Sequence, residues 1–227
     1  MEVTVPPGSS GSWCIEEFTI SEAQSYSSCL RAIASGRVDA FIPEGTYKRL
    51  KRGATVVMSN SPMEVRTNRT FIRRAKGHVL INGLGLGMVL SEILKKPDVK
   101  SVTVIEASFD VIKLVAPTFV DEPRVNIIHA DAFKYQPAED ACFDAVWHDI
   151  WDAISSENLP EMHCLHQKYK RIAKWQSSWA RKECEIMRKH TTKSIEKIRH
   201  ERLVYAANHD CKNDNEGELG DGKKHCG

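Results

Sequence analysis

Glycine alternates with larger residues in one short stretch of the chain, Asn82-Gly83-Leu84-Gly85-Leu86-Gly87. An apolar run typical of a strand precedes this stretch, and a run typical of a helix follows it. Glycines at such a turn let a ligand approach the backbone, and the free N–H groups at the helix start favour a polar or anionic group. We therefore expect a cofactor to bind at Asn82, Gly83, Gly85 and Gly87. A purely structural turn is the alternative.

Acidic residues follow the next two apolar segments. Glu106 ends the second predicted strand, 19 positions after Gly87, where a carboxylate can accept hydrogen bonds from ribose hydroxyls. Asp131, with Ala132 after it, lies just past the third strand, where it can meet an adenine amino group. Ligands of open α/β sheets bind outside the carboxyl ends of the strands, so we expect these residues to line one site. A solvent-facing Glu106 and an Asp131 that only caps a turn are the alternatives.

Two further carboxylates, Asp149 and Asp152, follow the fourth predicted strand and are the candidate catalytic residues. Asp149 ends an apolar segment between Trp147 and Trp151, where burial of a carboxylate is costly unless the group has a role. It can take a proton from an acceptor amine or orient that amine. Asp152 is alternatively the N-cap of the next helix. The two tryptophans can cover a cationic centre, and we expect one of them to pack in the core instead.

The elements that must position these residues are short apolar strands that alternate with helices. The predicted strands are His78–Asn82, Ser101–Glu106, Val125–His129 and Ala145–Asp149. Strands without polar alternation are typical of a parallel sheet that is buried on both faces. The predicted fold class is therefore α/β, with a Rossmann-like parallel sheet over residues 76–152. No fifth strand is recognisable, so we expect a truncated sheet.

The segments on either side of this core have a different character. Residues 1–75 should form a small α+β region: a flexible arm over residues 1–13, a helix near 21–35 and a β-hairpin with its turn at Arg52-Gly53. Residues 153–208 are polar and helical in pattern, with a long helix expected near 174–205. Residues 209–227 hold too few apolar residues to order themselves and are expected to be a disordered tail.

Composition excludes few classes of function. The chain has 32 Lys and Arg against 30 Asp and Glu, which gives no global electrostatic case for nucleic acid. Its apolar runs are too short for a membrane helix and no signal peptide is recognisable, so we expect a cytoplasmic protein. The seven cysteines show no metal-binding spacing. His163, Cys164 and His166 point in different directions on one helix, so we predict no metal.

These residues together resemble the class I S-adenosylmethionine-dependent methyltransferase fold, and within it the spermidine synthase (aminopropyltransferase) branch. The resemblance covers about residues 76–152. It implies that the glycines line the methionine portion of the ligand, that Glu106 binds the ribose, and that Asp131 and Ala132 meet the adenine. It also implies that Asp149 and Asp152 are the Asp-x-x-Asp pair that handles the acceptor amine.

The chain departs from that branch at two positions. Leu86 stands where the branch has an acidic residue in its glycine loop, and Ala153 stands where a proline follows the second aspartate. These departures favour a methyltransferase with an unidentified acceptor over an aminopropyltransferase. The expected cofactor is S-adenosyl-L-methionine or its decarboxylated form.

Three alternatives stay open at this stage. The first is aminopropyl transfer, and the second is a non-catalytic adenosylmethionine-binding or assembly protein. The third is a nucleic-acid modifier, indicated by the basic stretches at residues 49–52, 73–74 and 168–174, although such stretches are more often solvated helix faces. The sequence also leaves homo-oligomerisation open.

Overall fold

Residues 3–36, 41–193 and 196–198 are the part of the chain that the computed structural model describes. The first element is an antiparallel sheet of four strands in the order β1-β2-β3-β4. Its strands are β1 (Gly8–Ser10), β2 (Trp13–Ile20), β3 (Gly45–Arg52) and β4 (Thr55–Ser59). The predicted hairpin corresponds to β3 and β4, which pair directly across the turn.

A flexible arm was expected over residues 1–13, and for residues 3–13, which the structure describes, this expectation is wrong. Val3 and Val5 are buried in the main hydrophobic core, and β1 pairs with β2. Gly11 adopts a positive φ of 55° at the turn between these strands, a conformation that glycine reaches without steric cost. The small residues that indicated flexibility therefore form a tight hairpin, since two valines anchor the segment.

Two helices belong to the same N-terminal region. The first, α1 (Glu22–Ala34), matches the helix predicted near 21–35 and begins with a capping box between Ser21 and Gln24. The second, α2 (Pro62–Arg74), follows β4 directly and starts with proline, which suits the first turn of a helix. Phe71 of α2 is fully buried and stacks on the indole of Trp147 with ring centroids 5.0 Å apart. This contact ties α2 to the next sheet.

The second sheet has five strands, all parallel, in the order β7-β6-β5-β8-β9. Its strands are β5 (Gly77–Asn82), β6 (Val99–Glu106), β7 (Val125–His129), β8 (Ala145–His148) and β9 (Gln176–Ser178). The prediction of an α/β fold with a Rossmann-like parallel sheet is confirmed. The strand order changes direction at β5, and the crevice at such a point is the usual ligand site.

The fifth strand, β9, was not expected. The sequence pattern predicts this segment as part of a long helix near 174–205 and gives no strand after β8. Gln176–Ser178 has no apolar pattern, but it pairs with the open edge of β8, and Trp179 N donates to the His148 carbonyl at 2.9 Å. Backbone hydrogen bonds therefore extend the sheet beyond residue 152.

Helices cover both faces of the parallel sheet. They are α3 (Met88–Leu94), α4 (Phe109–Val115) and α5 (Leu159–Tyr169). Val79 and Ile81 of β5 belong to the core that includes α2, α3 and α4, whereas Leu80 packs with Leu165 of α5. Successive residues of β5 thus point to opposite faces, and both faces are buried.

The chain divides into two units, Met1–Cys184 and Glu185–Gly227. All the strands of the described residues lie in the first unit. In the second, residues 185–193 and 196–198 are helical, and the predicted tail over residues 209–227 lies outside the described residues. Within the described part of the chain, no helix has both the length and the apolar character to cross a membrane.

Candidate functional site

A cavity of about 350 Å³ lies at the carboxyl edge of the parallel sheet. Seven of the predicted site residues line it: Gly83, Gly85, Glu106, Asp131, Ala132, Asp149 and Asp152. The antiparallel sheet supplies the opposite wall, through Trp13, Leu50, Arg52, Val57 and Met58. The N-terminal region therefore completes a site that the sequence had placed in the parallel sheet alone.

The glycine turn after β5 is required by the packing of the backbone. Gly83 has a φ of 99°, and a Cβ at this position would overlap the carbonyl oxygen of Asp149. Gly87 caps α3 and does not line the cavity, and a Cβ there would lie 2.8 Å from the ring of Phe119. A side chain at either position would clash with the protein itself, so part of the glycine pattern is structural.

Gly85 has a different neighbour, the side chain of Met58 from β4. A Cβ at Gly85 would lie 2.5 Å from the sulfur of Met58, and Leu86 N donates to that sulfur at 3.3 Å. Met58 thus covers the turn on the side where the methionine portion of a ligand was expected. Methionine has three rotatable side-chain bonds, so this cover can rearrange.

Glu106 links the end of β6 to the glycine turn. Its Oε2 accepts a hydrogen bond from Leu84 N at 2.8 Å, and its Oε1 accepts one from Ser108 N at 2.7 Å. Burial raises the pKa of Glu106, and the backbone hydrogen bonds oppose this effect. A carboxylate has about four lone-pair sites, so each oxygen keeps acceptor capacity for a hydroxyl in the cavity.

Asp131 both lines the cavity and caps a turn. Its Oδ1 accepts a hydrogen bond from Phe133 N at 2.8 Å, which is the capping role named as the alternative. The carboxylate is half-buried. Lys168 fixes the adjoining loop, because its Nζ donates to the carbonyl oxygens of Ala132 and Phe133 at 3.0 and 2.9 Å. The loop is thereby held in place at the cavity wall.

Asp149 follows β8, and its backbone N–H donates to the Asn82 carbonyl at 2.8 Å. Burial, which has the larger effect, and the nearby charge of Glu64 together raise the pKa of its carboxyl to about 7. A carboxyl with a pKa near neutrality can take up and release a proton under physiological conditions.

Glu64 is a site residue that the sequence analysis missed. It lies in the first turn of α2, lines the cavity, and has its pKa raised by burial to about 7. Its carboxyl accepts hydrogen bonds from Ser59 N at 2.9 and 3.0 Å and from Ser59 Oγ at 3.1 Å. An acidic residue in a first helical turn is usual, so no local pattern distinguished Glu64 from a surface group.

Asp152 does not take the N-cap role named as the alternative. Ser155 caps the next helical turn, and the Asp152 carboxylate forms an ion pair with Arg52 of β3. The guanidinium of Arg52 also lies over the ring of Trp13, 5.4 Å from its centroid. Asp152 and Arg52 therefore join the two walls at the edge of the cavity, and the Asp152 charge already has a partner.

The two tryptophans divide as expected. Trp147 is 2% exposed and packs in the core against Phe71, whereas Trp151 lines the cavity and its Nε1 donates to Glu161 at 2.7 Å. A third tryptophan, Trp179, lines the cavity beside β9 and donates to Thr67 Oγ1 at 3.0 Å. The cavity therefore presents aromatic surface next to its carboxylates.

Asn82, predicted to bind the cofactor, is fully buried outside the cavity lining. Its Nδ2 donates to Nδ1 of the buried His148 at 2.7 Å, and His148 Nε2 lies 3.3 Å from Gln176 Oε1. Because an amide oxygen only accepts, the proton of His148 is on Nε2. Burial lowers the pKa of His148 to about 3. Asn82 therefore orders the neighbouring strands through a neutral histidine.

Among the described residues, no group of three or more His, Cys, Asp or Glu side chains could hold a metal ion. In the His163–Cys164–His166 segment of α5, His166 contacts Ser178 Oγ at 2.9 Å and Arg181 at 2.6 Å, and Cys164 is exposed.

Comparison with known proteins gives a local match. No family model matches the chain. A polyamine aminopropyltransferase from Sulfurisphaera tokodaii is 28% identical over 106 residues, which cover 43% of this chain and 35% of that protein. The chain thus spans about a third of the length of this curated relative. The resemblance to the aminopropyltransferase branch is therefore confined to part of the chain.

Solved structures give distant likenesses. The N-methyltransferase NodS from Bradyrhizobium japonicum, solved with S-adenosyl-l-homocysteine, is 14% identical with a TM-score of 0.39, over 49% of this chain and 56% of that chain. The [4+2]-cyclase SpnF is 21% identical with a TM-score of 0.38, over 48% of this chain and 41% of that one. The chain spans about half the length of these proteins.

Proposed function

We propose that the chain is an S-adenosyl-L-methionine-dependent methyltransferase that acts on an amine. The observation that carries the proposal is the convergence of Gly85, Glu106 and Asp149 on one cavity at the carboxyl edge of the sheet. Each comes from a different strand end, and this edge is where open α/β sheets bind nucleotides. The cavity, at about 350 Å³, falls within the range of small-molecule sites.

The residues present suit an adenosine ligand. Glu106 is fixed by two backbone hydrogen bonds and keeps acceptor capacity for ribose hydroxyls. Asp131 and Ala132 lie on the same wall, in a loop that Lys168 holds in place. The methionine portion would lie against Gly85, where the flexible side chain of Met58 must move aside.

Methyl transfer requires few catalytic contributions from the protein. Bound S-adenosyl-L-methionine supplies a methyl group on a positively charged sulfur, which is already a strong electrophile. The chain has to align the acceptor nitrogen with that group and exclude water. Asp149 takes the proton that the amine must lose before its lone pair can form the new C–N bond. Its pKa of about 7 suits this role.

Aminopropyl transfer is the second candidate, because the cavity is acidic. Among the described residues that line it, five are carboxylic acids, namely Glu64, Glu106, Asp131, Asp149 and Asp152, and Arg52 is the one cation. Such a cavity favours decarboxylated adenosylmethionine, which lacks the anionic carboxylate. The local match to a polyamine aminopropyltransferase agrees. Against it, Leu86, which replaces the acidic residue of that branch, is fully buried.

Calorimetry and product analysis test the proposal. S-adenosyl-L-methionine, its decarboxylated form and S-adenosylhomocysteine are titrated into the chain, which is then incubated with each donor and a panel of aliphatic amines. Mass spectrometry distinguishes a methylated from an aminopropylated product. Asp149→Asn should keep most donor affinity and lose about 10²–10⁴-fold in turnover. The exposed Glu139→Gln is the matched control.

Two outcomes would oppose the proposal. If neither donor form binds, the cofactor assignment fails. If a donor binds but no amine is modified, while proteins and nucleic acids are also left unchanged, a non-catalytic binding protein becomes the better interpretation. If Asp149→Asn loses stability but keeps wild-type turnover per folded molecule, Asp149 is structural.

A further inference from the structure

We infer that Glu64, together with Asp149, binds the acceptor in the cavity that both residues line, and that this acceptor is a protonated primary aliphatic amine. The inference rests on the proposed function, because it specifies the acceptor of that reaction. It assigns a role to Glu64, which no sequence motif identified.

The position of Glu64 is fixed by its surroundings. Ser59, at the end of β4, is buried and donates three hydrogen bonds to the Glu64 carboxyl, from its backbone N–H and its hydroxyl. These bonds hold the carboxyl at the cavity wall and keep it from turning into solvent. A carboxyl held in this way is pre-organised for a ligand.

Asp149 lines the same cavity as Glu64. It follows β8 directly, and its backbone N–H is bonded to the end of β5, so its position is fixed by the parallel sheet. The glycine turn lies beside it, since a Cβ at Gly83 would overlap the Asp149 carbonyl. An amine held by Asp149 would therefore lie near the ligand portion expected at Gly85.

The other charged groups of the cavity have partners. Glu106 accepts two backbone N–H groups, Asp152 is paired with Arg52, and Asp131 is bonded to Phe133 N with Lys134 at 3.9 Å. Within residues 3–36 and 41–193, no ion pair to a Lys, Arg or His is formed by Glu64 or Asp149.

Two carboxyl groups without a cation resist ionising together. Burial raises the pKa of Glu64 to about 7, and burial together with the charge of Glu64 raises the pKa of Asp149 to about 7. Coupled groups of this kind titrate as a pair, and the pair keeps a proton near neutral pH. An ammonium ion is the ligand that would balance their charge. Its binding should therefore release a proton to solvent.

Aromatic and apolar surface next to the pair favours an aliphatic amine. Trp151, Trp179 and Met58 line the same cavity. Ring faces attract an ammonium ion, and apolar side chains accommodate methylene groups. Because binding has released the earlier proton to solvent, one of the two carboxylates can then take a proton from the ammonium. The neutral nitrogen then attacks the methyl carbon, and the electron pair of the breaking S–C bond goes to sulfur.

Isothermal titration tests the inference. The probes n-butylamine and 1,4-diaminobutane are titrated into the chain with and without S-adenosylhomocysteine, at pH 6.5 in two buffers of different ionisation enthalpy, and again at pH 9. We expect proton release at pH 6.5 and almost none at pH 9, where the pair is already ionised. Glu64→Gln should bind amine about 10- to 100-fold more weakly at pH 9, because it loses one charge-assisted contact. Its proton release at pH 6.5 should also fall.

Two further variants keep the test decisive. Glu139→Gln makes the same chemical change at an exposed position and should bind amine as the wild type does. Asp149→Asn should weaken amine binding as Glu64→Gln does. The double variant should lose less amine binding free energy than the sum of the two single losses, because the groups act as a unit. Circular dichroism confirms that each variant is folded.

The outcomes separate this inference from the proposed function. If S-adenosylhomocysteine binds but Glu64→Gln binds amine with wild-type affinity, the inference is overturned and the proposed function stands. The same holds if amine binds the wild type without proton release at pH 6.5. If S-adenosylhomocysteine does not bind, the proposed function fails, and the titrations without it still test the carboxyl pair.

Discussion

The carboxyl group of Glu64, in the first turn of α2, raises the pKa of Asp149, which follows β8 in the parallel sheet. The two residues belong to different structural regions, and both line one cavity because the N-terminal region packs against the carboxyl edge of that sheet. The acid–base properties of the candidate site are therefore set by this packing.

The first prediction concerns stability and the Glu64 carboxyl. In the folded chain the Glu64 carboxyl keeps its proton up to about pH 7. In the unfolded chain the same carboxyl loses its proton near pH ~4.3. The unfolded state thus binds fewer protons between these values, and stability falls as the pH rises through this window. Glu64→Gln is neutral throughout, and its hydrogen-bond acceptor oxygen remains. It should raise the free energy of unfolding by about 1–3 kcal/mol at pH 8.

Urea denaturation at pH 4.5 and pH 8 measures this effect. The gain should be small at pH 4.5, where the wild-type carboxyl is neutral in the folded state and partly protonated when unfolded. Glu139→Gln should change neither value. An equal effect of Glu64→Gln at both pH values would show that the carboxyl is not buried as described.

The second prediction concerns His148, whose effect on the free energy of unfolding has the opposite pH dependence. Its pKa is lowered by burial to about 3 in the folded chain, against ~6.5 when unfolded. The unfolded state binds more protons between these values, so this group makes stability fall as the pH drops, by at most ~1.4 kcal/mol per pH unit. His148→Gln should therefore cost less stability at pH 4.5 than at pH 7.

Urea midpoints across pH 4.5–7 give the test, with His190→Gln, at an exposed position, as the control. A cost of His148→Gln that is the same at both ends of this range would mean that His148 does not resist protonation in the folded chain.

The third prediction concerns Glu106. Glu106→Ala removes the two hydrogen bonds expected to the ribose and should weaken S-adenosylhomocysteine binding by about 2–4 kcal/mol. It also frees Leu84 N and Ser108 N, so some stability should be lost. Calorimetry at a temperature where the variant is fully folded separates the two effects. Wild-type affinity in the folded variant would remove Glu106 from the ribose site.

The fourth prediction compares two glycines of the same turn. Gly83→Ala places a Cβ against the Asp149 carbonyl, which is backbone and cannot give way, so it should destabilise the chain by at least ~3 kcal/mol. Gly85→Ala meets only the flexible end of Met58, so its cost should be the ~1 kcal/mol of an unfavourable backbone conformation. The melting temperatures of the two variants show which substitution destabilises the chain more. If Gly85→Ala is the more damaging, Met58 is held rigidly.

Local sequence determined the parallel sheet and most of its site. Apolar runs of strand length, separated by helices, give a parallel sheet because both faces must be buried. The carboxyl ends of parallel strands lie along one edge, so Glu106, Asp131 and Asp149 converge without any long-range information. The glycines at the first strand end follow from the same local reasoning, since Gly83 needs a positive φ.

The tertiary structure alone decided the remaining features. Gln176–Ser178 becomes a strand because β8 offers an open edge, although its own residues carry no strand pattern. Asn82 points away from the cavity because a buried histidine binds its amide. Glu64 and Arg52 reach the site only through the packing of the N-terminal region. Such contacts join residues far apart in the chain, and no local periodicity records them, because each depends on which surfaces are buried together.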